Sequence, residues 1–90
     1  MRVIVTVLGK DKPGILAKVS GALAAANANI LDLTQTVLQK EVFCMTMLVD
    51  MEKATASFEA LKQALDTCGQ ELGMDIKLQR EEIFDTMYRV

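Results

Sequence analysis

The chain alternates between stretches whose apolar residues recur every second position and stretches where they recur every third or fourth, and each change of period marks a new element. Residues 2–8 (RVIVTVL) are dense in β-branched side chains and stop at Gly9, which predicts a strand apolar on both faces and central in its sheet. In Gly9-Lys10-Asp11-Lys12-Pro13-Gly14, two glycines and a proline bracket three charged residues, the composition of a turn. Ile15, Leu16, Val19, Leu23 and Ala26 then repeat at helical spacing among alanines, predicting a helix from Ile15 to Ala26 with Pro13 in its first turn. Asn27 ends it, because asparagine tolerates the left-handed conformation that terminates helices.

A second strand runs from Ile30 to Leu38, with Leu31, Leu33 and Val37 on one face and Asp32, Thr34 and Thr36 on the other. Gln39, Lys40 and Glu41 connect it to a third, Val42 to Val49, so the pair reads as a hairpin that lacks an Asn-Gly turn. Phe58, Leu61, Leu65, Cys68 and Leu72 form one apolar stripe of a second helix. Gly69 interrupts that helix at a cost of about 1 kcal/mol relative to alanine, predicting a frayed last turn, and Gly73 is its stop. Met74 to Arg80 alternates as a fourth strand with one wet face. Beyond it, Ile83 and Met87, like Phe84 and Tyr88, stand four apart, the spacing of a short amphipathic helix.

The order strand, helix, strand, strand, helix, strand is most simply packed as a four-stranded antiparallel sheet with both helices on one face, an α+β architecture joined by two right-handed crossovers. Residues 1–80 make this domain and 81–90 its tail. That leaves one sheet face bare, yet strands one and three are apolar on both faces, Ile4 and Leu8 against Val3, Val5 and Val7, and Val42, Cys44 and Leu48 against Phe43, Met45, Met47 and Val49, which calls for cover by the tail, by a second copy, or by both.

Composition narrows the function. At 90 residues the chain has room for one domain, and 51% hydrophobic with 24% charged residues belongs to an ordered globular protein. A formal charge of -2, with its ten basic residues scattered and only 4% aromatic residues, argues against nucleic-acid binding. The apolar runs are too short to span a bilayer, so no membrane partner is expected. Cys44 and Cys68 form neither a metal pair nor a CxxC motif, and no signal peptide is seen, so reduced thiols in the cytoplasm are expected. With no histidine, no GxSxG and no base beside either cysteine, the chain offers no catalytic group, metal site or cofactor motif. Gly9 to Gly14 is followed by Ile15 where a phosphate loop needs lysine and a hydroxyl residue.

The glycine-proline loop is the one cluster suited to a ligand. Gly9 and Gly14 allow close backbone approach, and the N–H groups of Gly14, Ile15 and Leu16 at the helix start, with the positive end of its dipole behind them, suit a carboxylate. Asp11 can accept from an ammonium group. Asn29, beyond the other end of the helix, offers a donor and an acceptor if a second copy or a folded-back loop brings it close. The same loop residues equally suit a tight strand-to-helix connection with no ligand. Lys10 and Lys12 read as solvated charge, Asp32 as a solvated strand residue, and the methionines as adaptable packing.

The segment VTVLGKDKPGILAKVSGALAAANANILDL, residues 5–33, resembles the ACT domain, a small regulatory module of amino-acid metabolism. Asp11, Pro13 and Gly14 match the family's loop, and Asn29-Ile30 matches its step into the second strand. The chain is similar to free-standing, single-domain UPF0237 members, which carry a tail like EEIFDTMYRV, and to the ACT part of a glycine-cleavage regulator. The resemblance implies a ferredoxin-like βαββαβ fold, paired domains, and a small effector, an amino acid, bound at the domain interface to modulate a separate protein. A constitutive adaptor with no effector is the alternative. Asp11 stands where serine-sensing members place an amide, which implies a different ligand or none, and Gly9 lacks the side chain that some members use there.

Overall fold

In a computed structural model that describes residues 1–82, β1 (Arg2–Lys10) leads into α1 (Ile15–Ala25), β2 (Asn29–Leu38), β3 (Val42–Asp50), α2 (Phe58–Leu72) and β4 (Asp75–Arg80). The strands form one antiparallel sheet in the order β2-β3-β1-β4. Only Glu81 and Glu82 of the anticipated tail fall among the described residues, both helical; the apolar positions of that tail lie outside them.

Strand alternation builds the core. Val3, Val5 and Val7 of β1 and Phe43, Met45, Met47 and Val49 of β3 are buried on one sheet face, beneath Ile15, Val19 and Leu23 of α1 and Leu61, Leu65 and Leu72 of α2. Both helices share this single cluster, so both lie on the same face, and none of its buried side chains is polar. Four β-strands and two helices thus give the expected ferredoxin-like arrangement. The opposite face keeps Leu8 and Val42 exposed and Ile4, Cys44 and Leu48 half-buried.

The backbone differs from expectation at four places. β1 continues through Gly9 to Lys10, because both residues remain paired, to Phe43 and Val42. Leu31 does not share a face with Leu33. The β2–β3 register passes from Ile30↔Val49 to Asp32↔Leu48, so Leu31 is the extra residue of a β-bulge and Ile30 takes its place on the core side. The Asp32 carboxylate accepts the Leu33 N–H at 2.9 Å, so it secures the bulge. α2 does not fray at Gly69; it runs on to Leu72 and ends at Gly73 in the left-handed conformation. Pro13 lies before the first turn of α1, since Gly14, at φ 89°, is the cap.

Caps and turns account for the remaining boundaries. Ala28 N–H reaches the Leu23 carbonyl at 2.9 Å and Asn27 N–H the Ala24 carbonyl at 3.0 Å, a Schellman closure around Asn27 at φ 55°. Ser57 caps α2 by accepting the Ala60 N–H at 3.1 Å. At the β2–β3 turn, Gln39 and Lys40 both take positive φ, 52° and 62°, the handedness of a type I′ turn. The turn closes through Glu41 N–H to the Leu38 carbonyl.

Candidate functional site

The β1–α1 loop is tied down at both ends and open in the middle. Asp11 N–H donates to the Glu41 carbonyl at 2.7 Å, holding the loop against the β2–β3 turn, while the Asp11 side chain is exposed and has no partner among the described residues. Ile15, buried, anchors the helix start in the core; Leu16, one residue on, is 42% exposed and stands outside the apolar stripe. Gly14 supplies no capping side chain, and the first turn of α1 holds no acidic residue, so its N–H groups meet no side-chain acceptor. That is an electropositive backbone end able to receive a carboxylate. An added Cβ at Gly14 would meet nothing within 4 Å, so the space there is open.

Gly9 has a different surrounding from Gly14. The sulfur of Met74 lies 2.5 Å from where its Cβ would stand, so the missing side chain makes room for Met74. Lys12 is also engaged: its ammonium donates to the Leu72 carbonyl at the C-terminal end of α2. There it complements the negative end of that helix, a role invisible in the sequence because its partner is 60 positions away. Lys18 pairs with Glu71, and this hydrogen bond, then the charge of Glu71, raises the lysine above its usual 10.5.

Asn29 is exposed and opens β2 at the far end of the sheet. It stands opposite Asp50, which stands opposite Arg2, whereas Asp11 follows Lys10 at the other end of β1. At about 3.4 Å per strand residue the two ends are roughly 27 Å apart. The structure therefore brings Asp11, Gly14, Ile15 and Leu16 together but leaves Asn29 of the same chain out of their reach. Asn29 instead lines a cleft of about 500 Å³ with Asn27, Asp50, Glu52 and Lys53. The Asn27 amide donates to the Lys53 carbonyl at 2.8 Å, fixing one wall. No pattern in the sequence singles out Asp50, Glu52 and Lys53, which become neighbours of Asn29 only through strand pairing and the segment that follows β3.

Among the described residues no three His, Cys, Asp or Glu side chains are placed to hold a metal ion, and no helix is long and apolar enough to cross a membrane. Both cysteines are free and half-buried.

A βαββαβ sheet with an open loop at its first helix defines a class, and the family model of the ACT domain matches residues 1–79. The chain belongs to the ACT domain family. Within it, a UPF0237 protein of Clostridium acetobutylicum is 50% identical over 90 residues, covering 100% of both chains, which places this chain in the UPF0237 group. An ACT domain protein from Streptococcus pneumoniae superposes with a TM-score of 0.80 at 42% identity, covering 93% of each chain. The regulatory subunit of aspartate kinase from Thermus thermophilus gives 0.68 at 26% identity, over 87% of this chain and 50% of that one.

Proposed function

We propose that the protein is a non-catalytic regulatory module that binds a small zwitterion, an amino acid, between two copies of itself and thereby alters its fit to a separate cytoplasmic protein. The observation that carries this reading is the separation of the matched residues. Asp11 and the α1 start lie at one end of the sheet and Asn29 at the other. β2 is an edge strand. If two β2 edges pair antiparallel about a two-fold axis, the Asn29 end of one strand comes to the Leu38 end of the other, beside the β1–α1 loop. Each of two equivalent sites then has a helix start for a carboxylate, Asp11 for an ammonium group, and an amide from the second copy. Membership of a family with regulatory relatives supports the same reading.

The test is complementation. Thermal stability is screened against the twenty amino acids, and Asp11→Ala and Asn29→Ala are each expected to abolish the shift given by the effective one. Mixing the two variants regenerates one intact site per mixed dimer; about half of the dimers in a statistical mixture are mixed, so about a quarter of the sites are expected to return. If the mixture stays silent while the unmodified protein responds, the shared site is wrong; if no amino acid shifts the unmodified protein, the amino-acid effector is wrong.

A second reading, a constitutive adaptor without an effector, draws on the exposed Leu8 and Val42 of the helix-free face. A partner captured equally well by the unmodified chain and by Asn29→Ala, with no metabolite present, supports it.

A further inference from the structure

The sheet has two edges: the effector reading gives β2 to a second copy, and β4 is the other. An edge strand presents the N–H and C=O of every second residue to its open side, and among the described residues no strand pairs with β4 there. Beside the start of this edge lies a groove of about 420 Å³, lined by Asp66, Gly69 and Gln70 of α2 and by residues 73–76.

The charge of that lining has one sign. Gly69 and Gly73 contribute no side chain, no lysine or arginine takes part, and Asp66 and Asp75 are exposed. Among the described residues neither carboxylate has a hydrogen-bond or ion-pair partner. The negative end of the α2 dipole also closes here, at Gly73, with Lys12 answering the Leu72 carbonyl from outside the lining. Ile76 and Leu78 of β4 are buried on the helix side while Asp75 and Lys77 are exposed. A strand added beyond β4 alternates in the same way, so its helix-side residue beside Ile76 comes up against Asp66.

The groove is also joined to the β1–α1 loop. Lys12 of that loop bonds the end of α2, and Met74, a lining residue, fills the space left by the missing side chain of Gly9. A segment held in the groove therefore touches residues on which the loop rests.

We propose that a separate protein docks here, as an extended segment that adds a strand to the outer edge of β4 and sets a lysine or arginine in the groove, facing Asp66 and Asp75. Main-chain hydrogen bonds to the edge supply affinity, and the two carboxylates select the cationic side chain. The proposal rests on the effector reading in one respect, that β2 is taken by a second copy, and needs no effector bound.

The measurement is a titration of the isotope-labelled full chain, followed by its amide signals, with a blocked peptide of alternating threonine and valine about six residues long, the usual length of a strand. One version has a central lysine and the other a central glutamate. The lysine peptide is expected to displace the signals of Ile76, Lys77, Leu78 and Gly69, to give Overhauser contacts from its backbone to that of β4, and to bind about tenfold more tightly than the glutamate peptide. Asp66→Asn, an isosteric change at an exposed position, is expected to weaken the lysine peptide about two- to fivefold without weakening the glutamate peptide. Silence at β4 with both peptides, equal binding of the two, or displacements confined to β2 overturns the proposal. So do displacements of the β4 signals that appear on raising protein concentration with no peptide, which put a second copy on this edge. No amino acid is present in these titrations, so a failed effector screen leaves a positive result standing, and a failure here leaves the effector screen untouched.

Discussion

Two glycines in helix interiors should respond oppositely to the same substitution. In a solvent-facing helix, alanine is favoured over glycine by about 1 kcal/mol, because glycine loses more backbone freedom on folding. Gly21 of α1 is exposed, and a Cβ added there meets no heavy atom within 4 Å, so Gly21→Ala keeps the whole gain. For a domain of this size about 1 kcal/mol raises Tm by roughly 4–8 °C. Gly69 of α2 is buried, and its added Cβ falls 2.8 Å from the Met74 backbone oxygen. That oxygen has little freedom to retreat, because Met74 N–H is itself bonded to the Gly69 carbonyl at 2.9 Å. Overpacking of a tight contact costs about 1–3 kcal/mol, so Gly69→Ala loses more than the helix propensity returns, a net loss on the order of 1 kcal/mol. Urea denaturation of both variants measures the difference directly. An unchanged m-value with midpoints displaced in opposite directions is expected. If Gly69→Ala is as stable as Gly21→Ala, the idea that close approach of the β4 start demands this glycine is refuted.

Three further outcomes follow from local geometry. Lys40→Gly relieves a positive φ imposed on an ordinary side chain and is expected to stabilise the fold by about 1 kcal/mol in urea denaturation; no change refutes strain at that turn. Lys12→Met removes the ammonium from the Leu72 carbonyl and is expected to cost under about 1 kcal/mol by the same assay, with faster amide exchange in the last turn of α2; unaltered exchange there refutes its role as a cap. The Lys18–Glu71 pair raises the lysine in the folded state, so its contribution is present below pH 10.5 and is lost as pH rises through the higher folded value. As pH rises above 10.5 the unmodified protein is therefore expected to lose stability more steeply than Lys18→Gln, and parallel urea profiles refute this.

What could be read from the sequence was what depends on periodicity and local chemistry. The valines of β1 and the Leu61-Leu65-Leu72 stripe of α2 declare their buried faces through spacing alone, and Asn27 declares a helix end through its tolerance of positive φ. The departures share one cause, a residue whose state is set by something distant in sequence. Gly9 reads as a turn until Phe43 pairs with it and Met74 fills its missing side chain. Gly69 reads as a weak point until the start of β4 crosses it. The bulge at Leu31 leaves strict alternation on either side and is invisible in a strand considered without its partner. Lys12 reads as solvated until α2 ends beside it. For the candidate site the balance is the same: the loop residues are legible as a motif, but the distance between Asp11 and Asn29 emerges only from the strand register.

That distance has a thermodynamic consequence. A ligand that needs Asp11 from one copy and Asn29 from another binds only the assembled form, so it draws single chains into dimers by mass action. Effector affinity and dimer affinity are then linked reciprocally: raising protein concentration strengthens apparent effector binding, and saturating effector lowers the concentration at which dimers persist by the same free energy. A site contained in one chain predicts an apparent affinity that does not vary with protein concentration. Titrations of the effective amino acid at two protein concentrations on either side of the dimer midpoint separate the two cases, and identical curves would rule out the shared site even where binding itself is tight.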